Sequence, residues 1–205
     1  MLQRSDEWFD ARKGRFTASE IHKLLGVKGL GETGKSYIFE KAVQEVYGLD
    51  EEDTFVSFDM QRGITLEPLA FRKFKELKEF DFIEVQEATF FSYGLDAGAS
   101  PDGLVGSNEI LEIKCPRPTK FFNLVAKGIE AIDKEYIAQM QMQMLCTNSV
   151  KAYFFNYILF NGVEMWHEIE VPRDEKMIDL IKERIIEASA LKKDYICKLN
   201  NNKQF

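Results

Sequence analysis

Cysteine is scarce: the 205-residue chain carries three, Cys115, Cys146 and Cys197, an odd number with no Cys-x-x-Cys spacing. A disulfide framework and a structural zinc site are thereby excluded, and a reducing, cytoplasmic setting is expected. Histidine is scarcer still. His22 and His167 fall in separate helical and strand contexts, which gives no basis for a Ser-His-Asp or zinc-histidine centre. No apolar run approaches the roughly 20 residues of a membrane span. Met1-Leu2-Gln3-Arg4-Ser5-Asp6-Glu7 lacks the charged-then-apolar order of a secretory signal. Basic residues are in the minority, 27 against 34 acidic, for a formal net charge of −7. That argues against a generic basic coat for nucleic acid but leaves a local basic groove open. Repeats, low-complexity tracts and a Pro/Gly/Ser-rich linker are also absent, so residues 1–205 read as one domain.

What the chain does have is apolar surface. Hydrophobic residues make up 45%, with 17 Phe, 7 Tyr and 2 Trp, enough to build a core without metals or disulfides. The first half has helical spacing. Ser5 can cap a short helix around Trp8 and Phe9 that stops near Gly14, and Thr17-Ala18-Ser19-Glu20 has capping-box spacing ahead of Ile21, Leu24 and Leu25. Helices are expected over 36–47, stopped by Gly48, and over about 66–77, where Pro68 should start or kink the helix. The centre switches to short β-rich runs at 82–87, 89–93, 103–105 and 109–114, read as a strand meander. A helix follows at about 119–127. The alternating Gln139-Met140-Gln141-Met142-Gln143-Met144 is assigned to a helix, because Gln and Met are good helix formers and Ile137, Met140 and Met144 form a helical stripe. Strands near 152–160 and 163–171 and a helix over 174–192 complete a mixed α/β order.

Two motifs carry chemistry. Gly29-Leu30-Gly31-Glu32-Thr33-Gly34-Lys35-Ser36 satisfies the P-loop formula, yet a working P-loop follows a buried strand, and here a helix precedes it with only Val27 between. No apolar run ending in Asp supplies a magnesium partner. The segment is therefore expected to be a flexible loop feeding a helix, with a nucleotide-hydrolysing protein as the competing reading. The second motif is Ser100-Pro101-Asp102-Gly103 followed by Leu111-Glu112-Ile113-Lys114. Residues two apart on a strand share a face, so Glu112 and Lys114 project together while Ile113 faces the core. Asp102 can reach the same spot. Two carboxylates and a backbone carbonyl leave magnesium positions for water and a substrate phosphate, and an adjacent lysine can position the attacking water. The competing reading is a half-exposed strand with a solvated edge. Against it, the apolar flanks mark the strand as central, where ionic groups need partners or a metal.

These residues resemble a known family. Ser-Pro-Asp-Gly-Leu, Leu-Glu-Ile-Lys-Cys-Pro and Tyr136-Ile137-Ala138-Gln139-Met140-Gln141 are similar to the lambda-type, YqaJ-like viral recombinase exonucleases of the PD-(D/E)xK nuclease superfamily. So are the blocks around Trp8, Arg12, Gly14 and Thr17-Ala18-Ser19, around Gly63 and Glu67, at 152–157, and at Arg173-Asp174-Glu175-Lys176. The resemblance implies a PD-(D/E)xK core, a central mixed β-sheet flanked by helices. It implies that Asp102, Glu112 and the Ile113 carbonyl bind Mg2+, with Mn2+ as a substitute, and that Lys114 and Gln139 hold the water. It places Glu67 near the metals, and Arg12, Ser19 and Ser100 on a terminal 5′-phosphate. Met60 falls where the family has a strand-separating wedge, although an isolated Met equally fills a core gap. Gln141 reads as a solvated helix face, and Cys115 as a buried apolar group.

The implied activity is a Mg2+-dependent 5′→3′ exonuclease on double-stranded DNA ends. It would produce 3′ tails for a single-strand annealing protein, as a homotrimer around the duplex with no membrane partner. Lys13, Arg15, Lys35, Arg117, Lys120 and Lys127 are candidates to line its channel. A structure-specific or restriction-type endonuclease is the alternative from the same superfamily. A non-catalytic binding module in which the acidic pair is a remnant is the alternative from another class.

Overall fold

The computed structural model describes residues 5–48 and 58–201; Met1 to Arg4, part of the segment screened for a signal, lie outside the described residues. Ser5 caps the first helix, α1 (Asp6–Arg12), its hydroxyl accepting the Trp8 amide at 3.3 Å. Gly14, at φ +68°, turns the chain into the short strand β1 (Phe16–Thr17). The next segment, Ala18–Leu24, is a 3-10 helix, and the expected Thr17 capping bond does not form. Its buried residues Ala18, Ile21 and Leu24 recur every three positions, the period at which 3-10 side chains eclipse. That spacing outweighs the capping signal.

Helix α2 (Gly31–Tyr47) starts at Gly31 rather than at 36, and Gly48 ends it at φ +65°. Helix α3 (Phe58–Phe80) extends well beyond the expected 66–77 and runs through Pro68, which forfeits one ladder bond. Five short strands follow: β2 (Val85–Glu87), β3 (Phe91–Tyr93), β4 (Ala97–Ala99), β5 (Gly103–Val105) and β6 (Glu109–Lys114). They do not form one meander. β2, β5 and β6 pair antiparallel, whereas β3 leaves to pair with β4, which also pairs with β1 in a separate three-stranded sheet. Ala97-Gly98-Ala99 carries little strand propensity, so β4 was illegible; a Cβ on Gly98 would fall 2.8 Å from the Phe91 carbonyl.

After β6 come α4 (Pro118–Lys127), a 3-10 turn at Gly128–Ala131, and α5 (Lys134–Thr147). The helical assignment of the Gln/Met alternation holds. β7 (Lys151–Phe160) then returns parallel to β6, β8 (Val163–Pro172) pairs antiparallel with β7, and α6 (Glu175–Asn201) closes the chain. The larger sheet therefore has the order β2-β5-β6-β7-β8, mixed in direction, with β6 in its middle.

The two faces of β6 pack differently. Leu111 and Ile113 lie with Tyr153 and Phe155 under Ala70 and Phe74 of α3. Ile110 lies with Ala152 and Phe154 against Leu124, Met140 and Met144 of α4 and α5. A third cluster joins α6, through Ile181, Ile185 and Ala188, to the 3-10 helix and to β4. Within it Lys192, 3% exposed, reaches from α6 to the Gly14 carbonyl at 2.9 Å, the Glu45 carboxylate at 2.8 Å and the Asp96 carboxylate. Among the described residues no helix is long and apolar enough to cross a membrane.

Candidate active site

Glu112 occupies the middle of the sheet at 2% exposure, on the face that looks toward α5. A carboxylate buried that deeply needs partners. Its Oε1 accepts from Lys114 Nζ at 2.5 Å and Gln139 Nε2 at 2.7 Å, and its Oε2 accepts from Gln143 Nε2 at 2.6 Å. The two glutamines are one turn apart on α5, so they face the same way. Gln141, between them, faces elsewhere: buried rather than solvated, it donates to the Pro172 carbonyl and accepts the Asp174 amide, both at 2.8 Å.

Asp102 precedes β5 and is laced to β6 from outside the ladder. Its amide donates to the Leu111 carbonyl at 2.9 Å, and its Oδ2 accepts the Ile113 amide at 2.6 Å. Burial raises the Asp102 carboxyl well above the ordinary range, and the Glu112 and Glu67 charges push it further. Burial alone would lower the Lys114 ammonium, but the Glu112 and Asp102 carboxylates outweigh it and keep the lysine charged. Cys115, beside it, packs with the α3-side cluster, and burial pushes its thiol up to about 12, as befits an inert apolar filler.

Arg12, Ser19 and Ser100 wall the same hollow, about 210 Å³, as Glu67, Asp102, Glu112, Ile113, Lys114 and Gln139. The structure thus gathers the residues that the family resemblance assigned to the metal, the water and the terminal phosphate. Ser100 accepts the Trp8 indole N–H at 2.9 Å, the Arg12 guanidinium stacks 4.1 Å from the Trp8 ring centroid, and Arg12 Nη2 lies 3.5 Å from Ser19 Oγ. Trp8 and Gln143 were not foreseen as site residues. Their signal was available in the spacing: Trp8 stands one helical turn before Arg12, and Gln143 one turn after Gln139.

A second hollow, about 470 Å³, shares Glu67, Ile113 and Lys114 with the first and is also lined by Met60, Tyr136 and Asn156. Arg62 and Arg117 flank it, both paired with Asp59 at 2.8 Å, and Arg62 also donates to the Cys115 carbonyl. Met60 is 49% exposed there, which removes the reading of it as a core gap-filler. Of the candidate channel residues, Arg117 and Lys120 line this hollow. Lys35 does not: the P-loop-like stretch is no loop beyond Leu30, and Lys35 pairs with Glu32 at 2.9 Å along α2. Gly34 makes a close approach, since a Cβ there would sit 3.0 Å from the Lys23 carbonyl. The nucleotide-hydrolysing reading has no structural support.

Among the described residues no three carboxylate, imidazole or thiol groups form a ready-made metal cage. The donors that do converge are hard oxygens, two buried carboxylates with Glu67 nearby and a backbone carbonyl at Ile113. That set fits a cation such as Mg2+ or Mn2+, which keeps several positions for water and phosphate. Burial raises Asp102 most, and the repulsion by Glu112 and Glu67 that adds to it is what a bound divalent cation would relieve.

A central mixed sheet, an acid on its middle strand with a second just before the neighbouring strand, and a lysine two residues on define a nuclease core of the PD-(D/E)xK type. Residues 7–149 match the YqaJ-like viral recombinase domain, and the chain belongs to that family. It is similar to an alkaline exonuclease from Laribacter hongkongensis at 29% identity, over 96% of this chain and 97% of that one, with a TM-score of 0.81. The same exonuclease in complex with dAMP gives a TM-score of 0.84 at equal identity and coverage. A phage-related exonuclease from Haemophilus somnus 129PT, 19% identical over 90% of this chain and 96% of that one, shares the fold with a TM-score of 0.72. No curated protein sequence matches the chain. The protein is a DNA exonuclease of phage type.

Proposed function

We propose that the chain, working as one nuclease domain over residues 1–205, is a Mg2+-dependent 5′→3′ exonuclease acting on double-stranded DNA ends. The observation that carries this reading is the sharing of one small hollow by the Arg12, Ser19 and Ser100 group and the Asp102 and Glu112 acids. A guanidinium and two hydroxyls suit a terminal 5′-phosphate, and a phosphate held there leaves the next phosphodiester at the acids. Asp102, Glu112 and the Ile113 carbonyl would hold the metal, with Glu67 alongside. When bound, the cation supplies Lewis-acid stabilisation of the charge that builds on the phosphoryl oxygens.

The remaining work falls to the chain's own groups. Lys114 and Gln139 orient a water so that its oxygen attacks phosphorus as the P–O3′ bond breaks, releasing a 5′-mononucleotide and a new 5′-phosphate end. Trp8 holds Ser100 and stacks on Arg12, fixing the terminal-phosphate grip. Met60, exposed beside Arg62, would part the last base pair, as the family resemblance implies. The 3′ tail left behind is the substrate of a single-strand annealing protein, and by the family resemblance three chains would encircle the duplex.

Linear duplex bearing a 5′-phosphate at one end only, incubated with Mg2+, tests this directly. Loss of mononucleotides from the phosphorylated strand, with closed circular duplex left intact, is the expected result. Nicking or linearisation of the circle would replace this reading with an endonuclease, and activity unchanged by EDTA would remove the metal from it.

A further inference from the structure

Asn156 lies on β7 with no exposed surface, and its Nδ2 donates to the Phe154 carbonyl at 3.3 Å. Its Oδ1 makes no hydrogen bond. A buried acceptor left without a donor is a cost that native folds rarely carry without a reason. Rotating the amide by a half turn does not remove it, because the oxygen would then face the Phe154 carbonyl.

The neighbour of Asn156 supplies a reason. β6 and β7 are parallel with Lys114 in register with Asn156, so the two side chains rise from adjacent strands on the same face. Both line the 470 Å³ hollow. The Lys114 ammonium is engaged on one side by Glu112 and lies 4.8 Å from the Tyr136 ring centroid. Glu112 is already crowded by Lys114, Gln139 and Gln143. Oε2 keeps one open position, and a divalent cation bound there repels the one charged donor on the carboxylate, Lys114.

We propose that Asn156 is a positioning residue whose Oδ1 receives the Lys114 ammonium when a divalent cation occupies Glu112. The lysine then becomes a fixed donor beside the attacked phosphate instead of the counterion of the carboxylate. This rests on the metal-dependent nuclease reading above. It gives Asn156 a part in metal binding without coordinating the metal, because the orphaned acceptor accommodates the charge that the metal expels.

The test is Mn2+ binding without DNA, followed by the electron paramagnetic resonance signal of the free ion, in Asn156→Ala with and without Lys114→Ala. Asn156→Ala should weaken Mn2+ binding about tenfold when Lys114 is present, the order expected for one charge-assisted hydrogen bond. It should have no further effect in the Lys114→Ala protein, and Asn156→Asp, which keeps an acceptor, should restore binding. With DNA and Mg2+, kcat should fall with KM unchanged. If Asn156→Ala does not fold, Asn156→Ser, whose hydroxyl is too short to reach, reads the same coupling. Equal weakening in both backgrounds, or none in either, would overturn the assignment of Asn156 while leaving the metal site standing. Absence of Mn2+ binding by the unmodified protein would overturn the metal reading itself.

Discussion

Asp102 shows how a single side chain can be costly to the fold and still be retained. Its carboxyl is raised by burial and by Glu112 and Glu67, so between the ordinary and the folded value the native protein holds a proton that the unfolded chain has released. Stability in the metal-free state therefore falls as pH rises through that window. Asp102→Asn keeps an oxygen for the Ile113 amide but cannot ionise. It should raise Tm at neutral pH by about 2–4 °C for each kcal/mol relieved. In a pH series of thermal melts the gap should close toward the ordinary carboxylate range, and an unchanged Tm at neutral pH would contradict the repulsion described. Cleavage by Asp102→Asn, and by Glu112→Ala, should be abolished.

Arg12 offers a second test on one residue. A planar guanidinium can pair two phosphate oxygens at once and an ammonium cannot, so Arg12→Lys should keep the charge but lose most of the preference for a phosphorylated end. The loss should be roughly 1.5–3 kcal/mol, about one to two orders of magnitude in initial rate on phosphorylated against hydroxyl ends. Indifference of the unmodified protein to the end group would remove Arg12 from that role. At this scale the sequence was most readable where the chemistry is local. Asp102, Glu112 and Lys114 fall in two short motifs, and strand alternation puts the last two on one face. Gln143 was readable only in part: it stands one helical turn after Gln139, but its contact with Glu112 spans 31 positions of chain.

At the scale of elements, legibility followed the strength of local pattern. α5 was assigned from composition against a misleading alternation, and β6, β7 and β8 from runs of apolar and aromatic residues. The failures have physical causes. The 3-10 helix and β4 pack on elements far along the chain, and Gly34 and Gly98 serve close approaches that single-sequence patterns do not mark. The α2 result gives a direct check: Lys35→Ala removes only an exposed pair with Glu32, so DNA hydrolysis should stay within a few fold and added ATP should have no effect. Packing of α3 on the sheet gives another. Phe74 is fully buried against Tyr153 and Phe155, so Phe74→Ala should cost about 3–5 kcal/mol in denaturant unfolding.

For the whole molecule, the net charge of −7 does not describe the proposed site. Arg62, Lys114, Arg117 and Lys120 gather around one hollow, each beside a carboxylate: Asp59 for the two arginines, Glu112 for Lys114 and Asp133 for Lys120. The global balance read from composition therefore said little about the local field.

The Lys192 contacts join segments far apart in the chain. The ammonium that holds the Gly14 carbonyl comes from 178 positions later, and it also engages Glu45 and Asp96. The turn beneath Arg12 is thus braced by α6, far along the chain. A nascent chain with its acid pair already folded still lacks this brace, and non-local contacts of such separation form late. The proposed grip on a DNA end is consequently incomplete until α6 has been made and has docked.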